Sequence, residues 1–113
     1  MLKVFDPVNN IIRPISIKDN DISMYVCGVT PYDVGHLGHA LTYVFFDTVK
    51  RYLEFSGFQV THIQNITDID DGMILKSKEG NMTIAGLTEK NHKIFLDEMQ
   101  NLNVLQPDSF PLS

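Results

Sequence analysis

The chain has 113 residues, is 43% hydrophobic and 20% charged, and carries a net charge of −5. That length makes one domain or a piece of one, burying roughly two thirds of its unfolded surface. Net acidity with scattered Lys and Arg argues against a stand-alone nucleic-acid binder, the single cysteine excludes an intrachain disulfide, and no apolar run approaches the ~20 residues that span a bilayer. The composition is that of a soluble cytoplasmic protein without a signal peptide.

Residues 2–5 and 11–17 are short β-prone runs, separated by Asp6-Pro-Val-Asn-Asn10, which reads as a turn. A small hairpin is expected there. After a second turn at 18–21, residues 22–26 read as a buried strand that ends at Cys27-Gly28. The pattern then predicts a helix over about 38–56, with Leu41, Phe45, Val49 and Tyr52 at helical spacing and Phe46 and Leu53 beside them. Gly57 stops it, and 58–64 is β-prone again. Strand, helix, strand in this order is a βαβ unit with parallel strands and a right-handed crossover.

A short helix is expected over about 70–78, a loop at 79–81, and a last helix capped by Thr88, on which Phe95, Met99 and Leu102 share a face. Pro107 and Pro111 end the pattern, and there is no internal repeat. Two parallel strands and a hairpin are fewer than a parallel sheet normally holds. The expected fold class is α/β, the first half of a doubly wound sheet, and its unpaired edge invites self-association or a complementing half.

The run from Cys27 to His39, Cys-Gly-Val-Thr-Pro-Tyr-Asp-Val-Gly-His-Leu-Gly-His, joins the strand to the long helix. Open α/β sheets bind ligands at such a join, and a helix N-terminus favours phosphate. His36 and His39 are therefore either phosphate donors or polar caps, with Gly38 letting a ligand approach the backbone. Cys27 reads as a small core residue or a metal ligand; Cys-x8-His-x2-His matches no common structural zinc spacing. Thr67, Asp68, Asp70 and Asp71 follow the second strand. They would bind Mg²⁺, act as acid and base, or merely cap a helix. His62 reads as a satisfied core or edge residue, and His92 as a solvated one.

Four separated motifs, in order, carry a family resemblance. Tyr-Val-Cys-Gly-Val-Thr-Pro-Tyr-Asp (25–33), His-Leu-Gly-His (36–39), Phe-Asp-Thr-Val-Lys-Arg-Tyr-Leu (46–53) and Gln-Asn-Ile-Thr-Asp-Ile-Asp-Asp (64–71) resemble the N-terminal part of cysteinyl-tRNA synthetases. The stretch Asp-Glu-Met-Gln-Asn-Leu-Asn-Val-Leu-Gln-Pro (97–107) is similar to the same enzymes. The mycothiol-pathway cysteine ligase, a close relative, shares Thr-Pro-Tyr-Asp and His-Leu-Gly-His.

The resemblance implies the first half of a Rossmann-like class I catalytic domain that activates L-cysteine with ATP and Mg²⁺, then passes it to tRNA. His36, Gly38 and His39 match the ATP-binding histidine motif, with His36 and His39 as its catalytic pair. Gly28, Thr30 and Thr67 match cysteine-pocket positions. Cys27 matches one of the family's zinc ligands, and Zn²⁺ suits selection of a thiolate over a hydroxyl. Gly72 stands where the family usually carries lysine. The Lys-Met-Ser-Lys-Ser loop, the remaining zinc ligands and the anticodon-binding domain have no counterpart in these residues.

Overall fold

The computed structural model describes residues 2–28, 36–66 and 71–112, the stretch 71–73 by its backbone alone. Strands β1 (Lys3–Asp6) and β2 (Ile11–Pro14) form the expected antiparallel hairpin, the second strand ending three residues earlier than predicted. The Asp6 carboxylate holds the turn, accepting from Val8 N at 2.9 Å and pairing with Arg13 at 2.9 Å. Strand β3 (Asp21–Val26) pairs in parallel with β4 (Gln59–Gln64) in a register that sets Met24 opposite His62 and Val26 opposite Gln64. Helix α1 (Leu37–Phe55) is the crossover between them. Helices α2 (Asp71–Glu79) and α3 (Ile84–Asn101) follow.

Period-two alternation decides which strand residues enter the core. Ile22, Met24 and Val26 on β3, and Val60, His62 and Gln64 on β4, turn inward; Tyr25 on the other face is 63% exposed. Val26, Tyr43, Phe95 and Met99 form the buried cluster, with Met24, Phe46 and Val104 packed around it. Tyr43 and Phe95 meet edge to face, ring centres 5.2 Å apart, an arrangement the ring quadrupoles favour.

The buried face of α1 differs from the predicted one. Tyr43, Asp47, Lys50 and Leu53 are buried, whereas Leu41, Phe45 and Tyr52 are 74%, 60% and 50% exposed. Asp47, on the buried face, has long-range work that apolar periodicity does not register. Asp47 Oδ1 accepts from the backbone N of Leu105 at 2.8 Å, and Oδ2 from Arg51 Nε at 2.9 Å. Arg51 in turn donates to the carbonyl of Asn103 at 2.7 Å. This clasp fixes the chain where it leaves α3.

Two further expectations are corrected beyond α2. The cap of α3 is Thr83, whose hydroxyl accepts from Gly86 N at 3.0 Å. Thr88 lies inside the helix, buried, and Leu102 is the C-cap residue, half exposed rather than sharing the buried face of Phe95 and Met99. Pro107 and Pro111 do not end the ordered pattern either. Asp108 N donates to His62 O at 2.8 Å, Gln64 N to Ser109 O at 3.2 Å and Ile66 N to Pro111 O at 2.9 Å. The tail thus runs in parallel beside β4, bridging Ile63 with Ser109 and Ile66 with Leu112. A proline cannot donate to a ladder but accepts from one, which suits an edge position.

Because a buried carboxylate that accepts a backbone N–H is costly to remove, Asp47→Ala is expected to lower stability by about 2–3 kcal/mol, and Arg51→Ala, at a half-exposed position, by about 1 kcal/mol or less. Urea unfolding of both variants checks the order, and equal losses would contradict it.

Candidate functional site

Three segments meet at the carboxyl end of the parallel pair: the exit of β3, the exit of β4 and the entrance of α1. At the first, Gly28 N donates to Asn65 Oδ1 at 2.7 Å. A Cβ on Gly28 would lie 1.7 Å from the carbonyl oxygen of Asn65. No side chain fits there, so Gly28 is required by the closeness of the two strand ends. Cys27, beside it, is exposed with its thiol 3.7 Å from the Gly28 carbonyl, which removes the core-residue reading. Its backbone carbonyl accepts from the Tyr43 hydroxyl at 3.0 Å. Burial, with nearby Cys27, pushes Tyr43 up to about 12, so it remains a neutral donor.

The entrance of α1 is closed by its own histidines. His36 is the N-cap, and its Nδ1 accepts from Gly38 N at 3.0 Å. His39, three residues on, returns the contact: its Nδ1 accepts from His36 N at 3.2 Å. This is a capping box built from imidazoles in place of Ser and Glu. The rings stack with centres 3.8 Å apart and planes 16° from parallel. With each Nδ1 accepting, the proton of each neutral ring sits on Nε2. Two N–H donors are thus presented at the positive end of a 19-residue helix. Partial burial and the neighbouring His36 hold His39 below the usual imidazole range, against the raising effect of Glu98.

Gly38 has a structural reason beside the expected one. A Cβ there would meet Cε1 of His36 at 2.9 Å and Nδ1 at 3.0 Å. The glycine makes room for the capping ring as much as for any ligand.

The described residues do not make a zinc site. Among them no group of three or more Cys, His, Asp or Glu could hold a metal. Thr30, Thr67, Asp68 and Asp70 lie outside the described residues, and Asp71 is placed by its backbone alone. Their expected roles therefore have no geometry here.

Sequence reasoning missed Tyr43, Asn65 and the unpaired ring of His62, whose burial as a core residue it did offer. Tyr43 stands seven residues after His36, two helical turns on, a spacing that marks the same side of α1. His62, expected to be satisfied, is 5% exposed, and neither ring nitrogen has a hydrogen-bond partner among the described residues. His92, expected in solvent, is half-buried, its ring edge-on to Phe110 with centres 4.9 Å apart.

The family described as tRNA synthetases class I (C) catalytic domain matches residues 14–112. The chain belongs to that family. Curated members include a Wolinella succinogenes cysteine–tRNA ligase, 42% identical over 112 residues, and one from Dehalococcoides mccartyi, 38% identical over 111. These alignments cover 98% and 97% of this chain but 24% of each relative, so the chain spans about a quarter of their length. A Corynebacterium jeikeium L-cysteine:1D-myo-inositol 2-amino-2-deoxy-alpha-D-glucopyranoside ligase is 37% identical, over 96% of this chain and 26% of its own. Among solved structures, two of Mycobacterium tuberculosis methionyl-tRNA synthetase, with methionyl-adenylate, share the fold. Their TM-scores are 0.69 and 0.70 at 19% and 18% identity, over 80% and 81% of this chain and 17% and 18% of theirs. The family fold is thus present as a parallel sheet with the expected N-terminal hairpin. Among the described residues, no helix is long and apolar enough to cross a membrane.

Burial lowers His39, His62 and His92, and the Lys50 charge adds to the effect at His62 against Asp108 and Asp47. Each folded pKa then lies below the unfolded value of ~6.5, so the unfolded chain takes up protons first as pH falls. Stability is expected to be level above about pH 7.5 and to decline from there toward pH 5.5. Asp6, also lowered, contributes only near its ordinary 3.8 and below, outside this window. Urea midpoints at pH 7.5 and 5.5 check this, with His62→Phe expected to flatten the decline.

Proposed function

We propose that this chain forms the phosphate-handling half of a Rossmann-like catalytic domain that activates L-cysteine with ATP and Mg²⁺ for transfer to tRNA in the cytoplasm. The observation that carries the reading is the reciprocal histidine cap. It fixes both Nδ1 atoms as acceptors and leaves the Nε2–H groups of His36 and His39 as donors at a helix N-terminus.

In the proposed reaction a carboxylate oxygen of cysteine attacks the α-phosphorus of ATP. The bond to the β-phosphate oxygen breaks, giving cysteinyl adenylate and pyrophosphate. Negative charge grows on the α-phosphate oxygens during this step. Fixed donors aimed at them need no reorganisation, which is why His36 and His39 lower the barrier as preset hydrogen-bond donors. Gly38 keeps the approach open, and Gly28, Thr30 and Thr67 are assigned to the amino-acid pocket by their match to the family's motif. Cys27 would join zinc only with ligands from elsewhere in the catalytic domain, and no step is assigned to it.

The apolar residues left exposed on α1 and the bare outer face of the β3–β4 pair support action together with the remainder of such a domain, or a second copy of this chain. The Corynebacterium relative keeps a second acceptor in view: an amino sugar would use the same adenylation chemistry.

Titrating the chain with ATP and Mg²⁺ tests the reading. The double variant His36→Ala, His39→Ala is expected to bind ATP at least about tenfold more weakly, since two charge-assisted contacts are lost. Equal affinity for variant and parent would contradict it.

A further inference from the structure

Helix α1 has two apolar sides. Tyr43 and Leu53 turn to the core, yet Leu37, Leu41, Phe45, Thr48, Tyr52 and Phe55 form a second row on the far side. At ~100° per residue the six fall within about 80° of arc. None of them is charged, and the end members Leu37 and Phe55 are 86% and 91% exposed. Arg51, the nearest charge, is turned away toward Asp47 and the Asn103 carbonyl. Thr48, in the middle of the row, donates its hydroxyl to Val44 O at 2.9 Å, so that group is already engaged. Along a helix of 19 residues, ~28 Å long, such a row exposes roughly 600 Å² of apolar surface, more than scattered surface residues account for.

We infer that this row is the contact face of a symmetric dimer, filled by α1 of a second copy running antiparallel. The row is complementary to itself. A two-fold axis between residues 46 and 47 sets Phe45 against the partner's Thr48 and Leu41 against the partner's Tyr52, and repeats both contacts by symmetry. Large thus meets small beside the axis. Phe45 enters as a braced aromatic anchor, because Phe46 holds its ring edge-on with centres 5.2 Å apart. Two such rows bury roughly 1,200 Å² together, the lower end for a specific interface. Further parts of an α/β domain have other places to go. Added strands widen the sheet and added helices cover its outer face, where Tyr25 stands; the far side of α1 is the outside of such a layered fold. The exposed apolar residues of the hairpin make no comparable row, being interrupted by Lys3, Asp6 and Arg13. The contact is independent of the ATP reading: a chain that binds no nucleotide would still pair, and a monomer could still bind ATP.

Sedimentation equilibrium of the 113-residue protein at pH 7.5 tests this. The mass is expected to rise from one chain to two, and no further, with a dissociation constant of about 10 μM, as a small apolar interface gives. Phe45→Ala, which removes the anchor, and Thr48→Arg, which sets a charge against the partner's Phe45, are each expected to weaken pairing at least about tenfold. Both positions are exposed, so far-UV circular dichroism is expected to stay that of the parent. Ile12→Asp, on the equally exposed hairpin, is expected to leave the dissociation constant unchanged. A monomer up to about 300 μM would overturn the inference, since that lies far above the expected constant. So would assembly beyond two chains, pairing that Thr48→Arg leaves intact, or pairing that Ile12→Asp abolishes.

Discussion

The carboxylate of Asp47 holds together two parts of the chain that have no reason to meet on local grounds. From the middle of α1 it accepts the backbone N–H of Leu105, 58 residues away, while Arg51 seizes the carbonyl of Asn103. The turn after α3 is thereby set against α1. Only then can residues 108–111 run beside β4 and exchange hydrogen bonds with His62, Gln64 and Ile66. A charge buried this deeply is tolerated because both its oxygens are engaged. The ion pair of Asp6 with Arg13 spans only the hairpin turn and joins no distant parts of the chain.

The entrance of α1 uses the same economy of polar groups. A helix of ordinary design begins with a small hydroxyl or carboxylate cap that faces inward and is spent on the backbone. Here the cap is made of two imidazoles, each spending one nitrogen on the backbone and keeping the other. Tyr43, two turns further along the helix, ties that entrance to the end of β3 through the Cys27 carbonyl. Gly28 and Asn65 close the two strand ends against each other. The two rings therefore sit on a framework tied together by hydrogen bonds, as the proposed phosphate-donor role would require.

Much of this was legible in the residues. The alternation over 58–64, the helix through 37–55 and the turn residues between them give the βαβ unit directly. The His-x-x-His spacing marks the start of the helix, and of its two readings the capping one is seen directly in the structure. What was not legible depends on partners far away in sequence. Apolar periodicity picks Leu41, Phe45 and Tyr52 for the core of α1, but the buried side is another one, where Asp47 takes the backbone N–H of Leu105. Thr83 and Thr88 are equally good caps by type, and Gly86 decides between them. The prolines at 107 and 111 look like terminators, yet a parallel edge needs only the carbonyl of Pro111. His62 follows the inward alternation faithfully. Its lack of a partner emerges only from packing.

On the proposed reading, backbone capping fixes His36 and His39 as Nε2–H donors for phosphate. Nitrogen-15 chemical shifts of the two imidazoles, recorded at pH 7.5 with and without ATP and Mg²⁺, test it most directly. The account predicts the Nε2–H tautomer for both rings in the free protein, with both Nε2 signals moving on addition of the nucleotide. An Nδ1–H tautomer at either residue, or Nε2 signals indifferent to ATP, would contradict it.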